Sequence, residues 1–364
     1  MHSRVAVLIA FVLVILAAAG GLFAWRLLDK TGYETAVATM PGATLRATYT
    51  DWSQVRSTLD ATGLGAGSST RDVSEFLDRA YDADLLSTSA VSGSTDAMAS
   101  HYGFSPLDAA WEMYGQAREG AVVVMKLPES ADFAGVERNL RTLGYDEPAA
   151  GAGEVGVWAG SVDLVAQIDP SLTPVMQNVV VLEEEQVVLF SDNAAYAASA
   201  ADVVSGSGKS LAEETDGVTD LAELAGEPVS AVLFASDFAC EALSMASADE
   251  EDQATAEDLV SEAGGVSPLA GVVMAHQRDR SLVVAMSFEN SAQAEENLRP
   301  RVDLASGEAV GQGGMFSDRF DIATARQTGD SVVLDLRPVG SAQERAESTL
   351  LSDLSQGPVL FATC

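Results

Sequence analysis

The sequence predicts an α+β fold: an N-terminal transmembrane helix, then two tandem, related modules of largely antiparallel sheet with helices packed on one face. Three observations predict it. The chain opens on a long uncharged apolar run. Later apolar runs of strand length come in pairs split by short turns. Three strand-to-helix features recur in the same order in two parts of the chain.

The first element is the run from Val5 to Trp25, 21 residues without a charge. At 1.5 Å per residue a helix of that length crosses a hydrocarbon core of roughly 30 Å. Arg4 precedes it, Arg26 and Lys30 follow it, and Trp25 stands where an interfacial aromatic belongs. The expected layout is a cytoplasmic tail over 1–4, an anchor over 5–28, a tether over 29–43, a first module with insertions over 44–228 and a second over 229–364. With the N-terminus inside, the bulk is extracytoplasmic in the cell envelope. The alternative is a secreted protein released by signal cleavage, since Ala17-Ala18-Ala19 fits a small-x-small cleavage site.

The repeat comes next. A strand, a hydroxyl residue, an aspartate and an aromatic lead into a helix at Thr50-Asp51-Trp52 and again at Ser236-Asp237-Phe238. A strand running into a helix appears as Val122–Met125 with Glu137-Arg138-Asn139-Leu140, and as Val283–Met286 with Glu295-Glu296-Asn297-Leu298. A further strand and helix appear as Val187–Leu189 before 194–204, and as Val332–Leu334 before 341–354. The string Val359-Leu360-Phe361-Ala362 repeats Val232-Leu233-Phe234-Ala235 and predicts a last strand. The first copy is longer, through insertions around 61–118 and 144–178.

Hairpins are expected at Val179–Leu182 with Val187–Phe190, at Gly271–His276 with Leu282–Phe288, and at Asp321–Arg326 with Val332–Leu336. Ser105-Pro106 opens one helix and Ser341, with Glu344 three residues on, caps another.

Composition narrows function. The chain has 364 residues, 47% hydrophobic, with 20 Lys+Arg against 54 Asp+Glu and a net charge of −34. Such a surface repels phosphate backbones and anionic headgroups, so no nucleic-acid partner is expected. An acidic, Lys-poor, Ala-rich chain is also what salt-adapted or high-GC bacteria make, so the acidity reports habitat as readily as function.

Residue patterns supply no catalytic set, cofactor or metal site. Gly206-Ser207-Gly208-Lys209-Ser210 lacks the first glycine of a phosphate-binding loop, having Val203 there, and reads as a helix-terminating loop. His101 and His276 have no His or Cys at ligand spacing. Glu183-Glu184-Glu185 reads as a solvated hairpin turn and Asp249-Glu250-Glu251-Asp252 as a loop connecting helices. Thr50 or Asp51, and Ser236 or Asp237, are expected to cap helices, with Trp52 and Phe238 packing in the first turn. Cys240 and Cys364 are the only cysteines, and an even number in an exported chain reads as a disulfide.

Taken together, the N-terminal apolar segment, Tyr49-Thr50-Asp51-Trp52 and the closing Gly357-Pro358-Val359-Leu360-Phe361-Ala362-Thr363-Cys364 resemble uncharacterised membrane-anchored or secreted envelope proteins of high-GC Gram-positive bacteria. The resemblance implies a location and a layout; it supplies no site. Three function classes follow: a non-enzymatic envelope protein that binds a partner, a carrier or sensor of an apolar small molecule or lipid with Met125, Met286, Phe234 and Phe361 lining a cleft, and a hydrolase using paired carboxylates.

Overall fold

The computed structural model describes residues 30–148 and 156–364. The predicted tail and anchor lie outside the described residues. Among those described, no helix is long and apolar enough to cross a membrane.

Helix α1 (Gly32–Val37) leads to strand β1 (Arg46–Thr50) and helices α2 (Trp52–Thr58), α3 (Thr70–Asp82) and α4 (Thr95–His101). Strands β2 (Trp111–Gln116) and β3 (Ala121–Lys126) follow, then α5 (Phe133–Leu143), β4 (Trp158–Ala159), α6 (Val162–Ile168), β5 (Asn178–Leu182) and β6 (Val187–Ser191). Three helices, α7 (Ala194–Val204), α8 (Leu211–Glu214) and α9 (Val218–Ala225), connect to the second half. That half runs β7 (Ser230–Ala235), α10 (Phe238–Leu243), α11 (Glu250–Ala263), β8 (Gly271–His276), β9 (Leu282–Ser287) and α12 (Ser291–Ala305). It closes with β10 (Phe320–Thr328), β11 (Ser331–Pro338), α13 (Ala342–Ala346) and α14 (Leu350–Ser355).

These strands form one 11-stranded sheet in the order β10-β11-β9-β8-β7-β1-β2-β3-β6-β5-β4, and every pairing is antiparallel. The order is one pattern used twice. β1-β2-β3-β6-β5 corresponds to β7-β8-β9-β11-β10, and the copies join through β1 and β7, with Thr48 opposite Val232 at the centre. The three predicted hairpins are present. The repeated asparagines occupy equivalent positions in α5 and α12 and act alike. Asn139 Nδ2 donates to the Tyr102 carbonyl and Asn297 Nδ2 to Ser267 Oγ, so each fixes the chain approaching the second strand of its copy.

Helices cover both faces of the sheet, not the single face expected. On the first face two apolar cores lie side by side, one per half: Trp52, Phe76, Val123, Met125 and Phe190 belong to one, Phe234, Met274, Met286, Phe316 and Phe361 to the other. On the second face a single core runs across both halves beneath α1, α7, α8 and α9, including Tyr49, Val124, Leu189, Leu233, Ala275 and Val333. Strands such as Val122–Met125 are apolar at successive positions, so they must be buried on both sides.

Residues 31–43, read as part of a tether, are packed structure: α1 is held by a capping box of Thr31 and Glu34, and Tyr33, Ala36, Val37 and Met40 are buried on the second face. The predicted last strand is a 3-10 turn at Leu360–Ala362. Phe361 packs against Phe316 and Phe320 at centroid distances of 5.2 and 6.2 Å. The segment stays out of the sheet because Arg301, fully buried, takes its carbonyls: Nη1 donates to the backbone oxygens of Phe361 and Thr363, and Nη2 to that of Ser267. The single helix expected over 341–354 is the two short helices α13 and α14, though Ser341 and Glu344 do form a capping box. Asp249–Asp252 is the start of α11, with Asp249 accepting from the Asp252 N–H. Carboxylates are favoured there by the helix dipole, so the connecting-loop reading fails.

Candidate functional site

The two cores of the first face do not merge, and a strip of polar side chains lies between them. Thr48 and Thr50 stand on this face of β1, Ser230 on β7, His276 on β8 and Glu112 on β2; the register sets His276, Ser230, Thr50 and Glu112 in one row across four strands. All are buried. Thr88, in the chain following α3, covers the row: its carbonyl accepts from Thr48 Oγ1 at 2.6 Å and its Oγ1 meets Thr50 Oγ1 at 2.7 Å. Glu112 accepts from Trp52 Nε1, Ser89 Oγ and the Ala90 N–H, at 3.0, 2.7 and 2.6 Å. Burial pushes its carboxyl above the usual range and those donors pull it back. Ser230 Oγ and His276 Nδ1 find no hydrogen-bond partner among the described residues.

Above this strip the surface opens. The wall from the first half is the end of α3. Ser69 caps that helix, Val73, Phe76 and Ala80 bury its apolar face, and Tyr81 projects the other way, 77% exposed. The chain then turns through Asp84 at φ +53°, a conformation that aspartate tolerates better than most residues. The wall from the second half is α14. The second half grips the turn at two points: the Ser352 N–H donates to Asp84 at 3.2 Å, and Arg280 Nη1, from the β8–β9 hairpin, donates to the Ala83 carbonyl at 2.8 Å. Asp84 is only 5% exposed. Desolvation raises its carboxyl above the ordinary range, against the lowering by hydrogen bonds from Ser352 and Ser87.

The resulting cleft holds about 530 Å³ and is lined by Tyr81, Asp84, Ser87, Thr349, Ser352 and Gln356 among others. A second cleft of about 560 Å³ lies next to it and shares Thr349, Ser352 and Gln356; Asp249, Asp252 and Asp353 are among its other lining residues. Among the described residues no basic side chain lines either cleft. Among the described residues no group of three His, Cys, Asp or Glu is placed to hold a metal ion. Ser230 and His276 pair a hydroxyl with an imidazole on neighbouring strands. They lie opposite each other, but both are sealed from solvent and no hydrogen bond joins them.

Other residues singled out in the sequence lie elsewhere. Asp51 accepts from the Gln54 N–H at 2.8 Å and caps α2, and Trp52 is buried in the first-half core. Thr50 does not cap; it belongs to the polar strip. Asp237 accepts no capping bond, because Ser236 already turns at φ +53° and leaves Asp237 in helical geometry; Phe238 stacks on Phe234 at 6.4 Å. Cys240 and Cys364 are joined as a disulfide, 5.6 Å between Cα atoms. Gly206-Ser207-Gly208 ends α7, with the N–H groups of Ser207 and Gly208 on the Asp202 carbonyl. His101 lies 3.8 Å from Asp169 at the surface. Met125, Met286, Phe234 and Phe361 are packed in the two cores and line neither cleft. No sequence pattern marks Tyr81, Asp84 or Ser352. The one local signal was Glu112, a lone charge in the otherwise uncharged strand Trp111–Gln116.

No family model and no curated protein matches this chain. A solved structure similar to it is crystal form I of TP0453, with a TM-score of 0.37 and 7% identity, covering 90% of this chain and 100% of that one; a likeness so weak carries no argument about function.

Proposed function

We propose that this chain is a membrane-anchored binding protein of the cell envelope, without catalytic activity, whose ligand-contacting surface is the cleft between its two halves. The observation that carries this reading is the inter-half cleft, whose walls are tied to each other by Ser352–Asp84, with Arg280 holding the Ala83 carbonyl beside it. Junctions between structural units are where ligand sites preferentially occur, and this volume falls within the roughly 300–1,000 Å³ of such sites. The lining offers hydrogen-bonding groups, and Ser230 and His276, neighbours on the same face, are buried away from it. The disulfide suits an oxidising compartment. The apolar run Val5–Trp25 supplies the anchor, and the resemblance to envelope proteins of high-GC Gram-positive bacteria agrees with that placement.

The test is photo-crosslinking in living cells. A photoreactive residue in place of the exposed Tyr81 is expected to capture an envelope component, whereas one in place of Val162, also exposed but outside the clefts, is not. Equal capture, or none, at the two positions removes the proposal.

A further inference from the structure

We infer that the ligand of the inter-half cleft is an uncharged saccharide chain, laid across the ring of Tyr81. This rests on the binding reading above and adds the ligand class. The carboxylates alone would mark nothing, because in a chain with 54 acidic residues they occur widely. What sets this cleft apart is Tyr81. Three large apolar side chains are strongly exposed among the described residues, Tyr81, Val162 and Met315, and Tyr81 is the only aromatic. An exposed ring at a cleft wall presents a flat apolar face beside a hydroxyl. A sugar ring has matching faces, apolar where its C–H groups project and polar around its rim.

The remaining lining fits that rim. Sugar hydroxyls donate and accept at once. Ser92 and Gln356 each offer a donor and an acceptor; Thr349 Oγ1 and Ser352 Oγ, which already donate to Asp353 and to the Thr349 carbonyl, accept, as do Asp82 and Asp84. With no Lys or Arg among the described lining residues, phosphorylated or carboxylated chains meet the carboxylates of Asp82 and Asp84. The second cleft, sharing Thr349, Ser352 and Gln356 with the first, gives a chain longer than one ring a path past α14.

The experiment uses the full chain in detergent micelles. Neutral tetrasaccharides of glucose, mannose, galactose and N-acetylglucosamine are screened by saturation-transfer NMR and titrated by calorimetry, beside a decalysine peptide. At least one saccharide is expected to bind. Tyr81→Ala should weaken it tenfold or more and Tyr81→Phe should retain it, while Val162→Ala leaves it unchanged. Tyr81 is exposed, so unfolding curves of the variants should overlay that of the parent. Saccharide binding indifferent to Tyr81→Ala, or no saccharide binding at all, overturns the inference. If decalysine alone binds, and Asp82→Asn weakens it, the cleft remains a binding site and only the ligand class falls. If neither probe binds and crosslinking at position 81 captures nothing, both proposals fall.

Discussion

Glu112 shows how a single buried charge organises a long insertion. Its carboxylate gathers the Trp52 indole, the Ser89 hydroxyl and the Ala90 amide, so α2 and the chain after α3 are referred to one point on β2. The matching positions in the second half are Phe238 and Val272, which need no such centre. Truncation by Glu112→Ala would leave those buried donors unpaired, and at about 1–3 kcal/mol per unsatisfied group the expected loss is about 2–4 kcal/mol, read from urea unfolding. His276 predicts a pH effect. Burial is the main cause that pushes its pKa down from 6.5 to about 4, Arg280 adds to the lowering and Asp279 opposes it. The unfolded chain therefore takes up the proton first. The stability owed to neutral His276 is complete above about pH 6.5 and is lost as pH falls toward 4, by about 3 kcal/mol. His276→Leu should lose correspondingly less across that window; parallel pH profiles for parent and variant would contradict the assignment.

Among the elements, the segment 359–364 is held by Arg301 and by the disulfide to α10, which closes a sequence separation of 124 residues. Chain-entropy models assign about 4–5 kcal/mol to closing so long a loop, so Cys240→Ser with Cys364→Ser should lower stability by up to that amount. The segment should nonetheless stay docked at neutral pH, since Val359 to Ala362 are buried and Arg301 still takes its carbonyls; hydrogen exchange at Val359, whose N–H donates to the Leu243 carbonyl, reads this directly. Strands and hairpins were legible because apolar runs and Gly- or charge-bearing turns are local signals. The second helical layer was legible only indirectly, in the failure of Val122–Met125 and Val187–Phe190 to alternate. Identical letters also misled: Asp51 and Asp237 share a pattern, but the left-handed turn at Ser236 removes the cap from the second. The cleft was not legible at all. Asp84 and Ser352 are 268 residues apart, and the pairing of β1 with β7, together with the core that both halves share, brings them together.

At the scale of the molecule, charge and core act in opposite senses. With a net charge of −34, and ion pairs such as Arg71–Glu75 and Arg138–Asp132 at the exposed surface, self-repulsion opposes the compact state. Raising ionic strength toward about 1 M, where the screening length falls to about 3 Å, should raise the urea midpoint; a falling midpoint would show that attractive pairs dominate. Against that repulsion stands the second-face core, which joins residues of both halves under α1, α7, α8 and α9. Separating the halves would expose this core and leave the paired edges of β1 and β7 open, an outcome that costs each half its stability. The two halves should therefore unfold together although their first-face cores are separate. The sequence provides a reporter: within the two halves the tryptophans, Trp52, Trp111 and Trp158, all lie in the first. Their fluorescence follows the first half alone, while far-ultraviolet circular dichroism follows both. The two urea transitions should coincide in midpoint and slope, as a single cooperative unit requires. A second dichroism step without a fluorescence counterpart would mean that β7–β11 unfolds independently and that the shared core does not couple the halves.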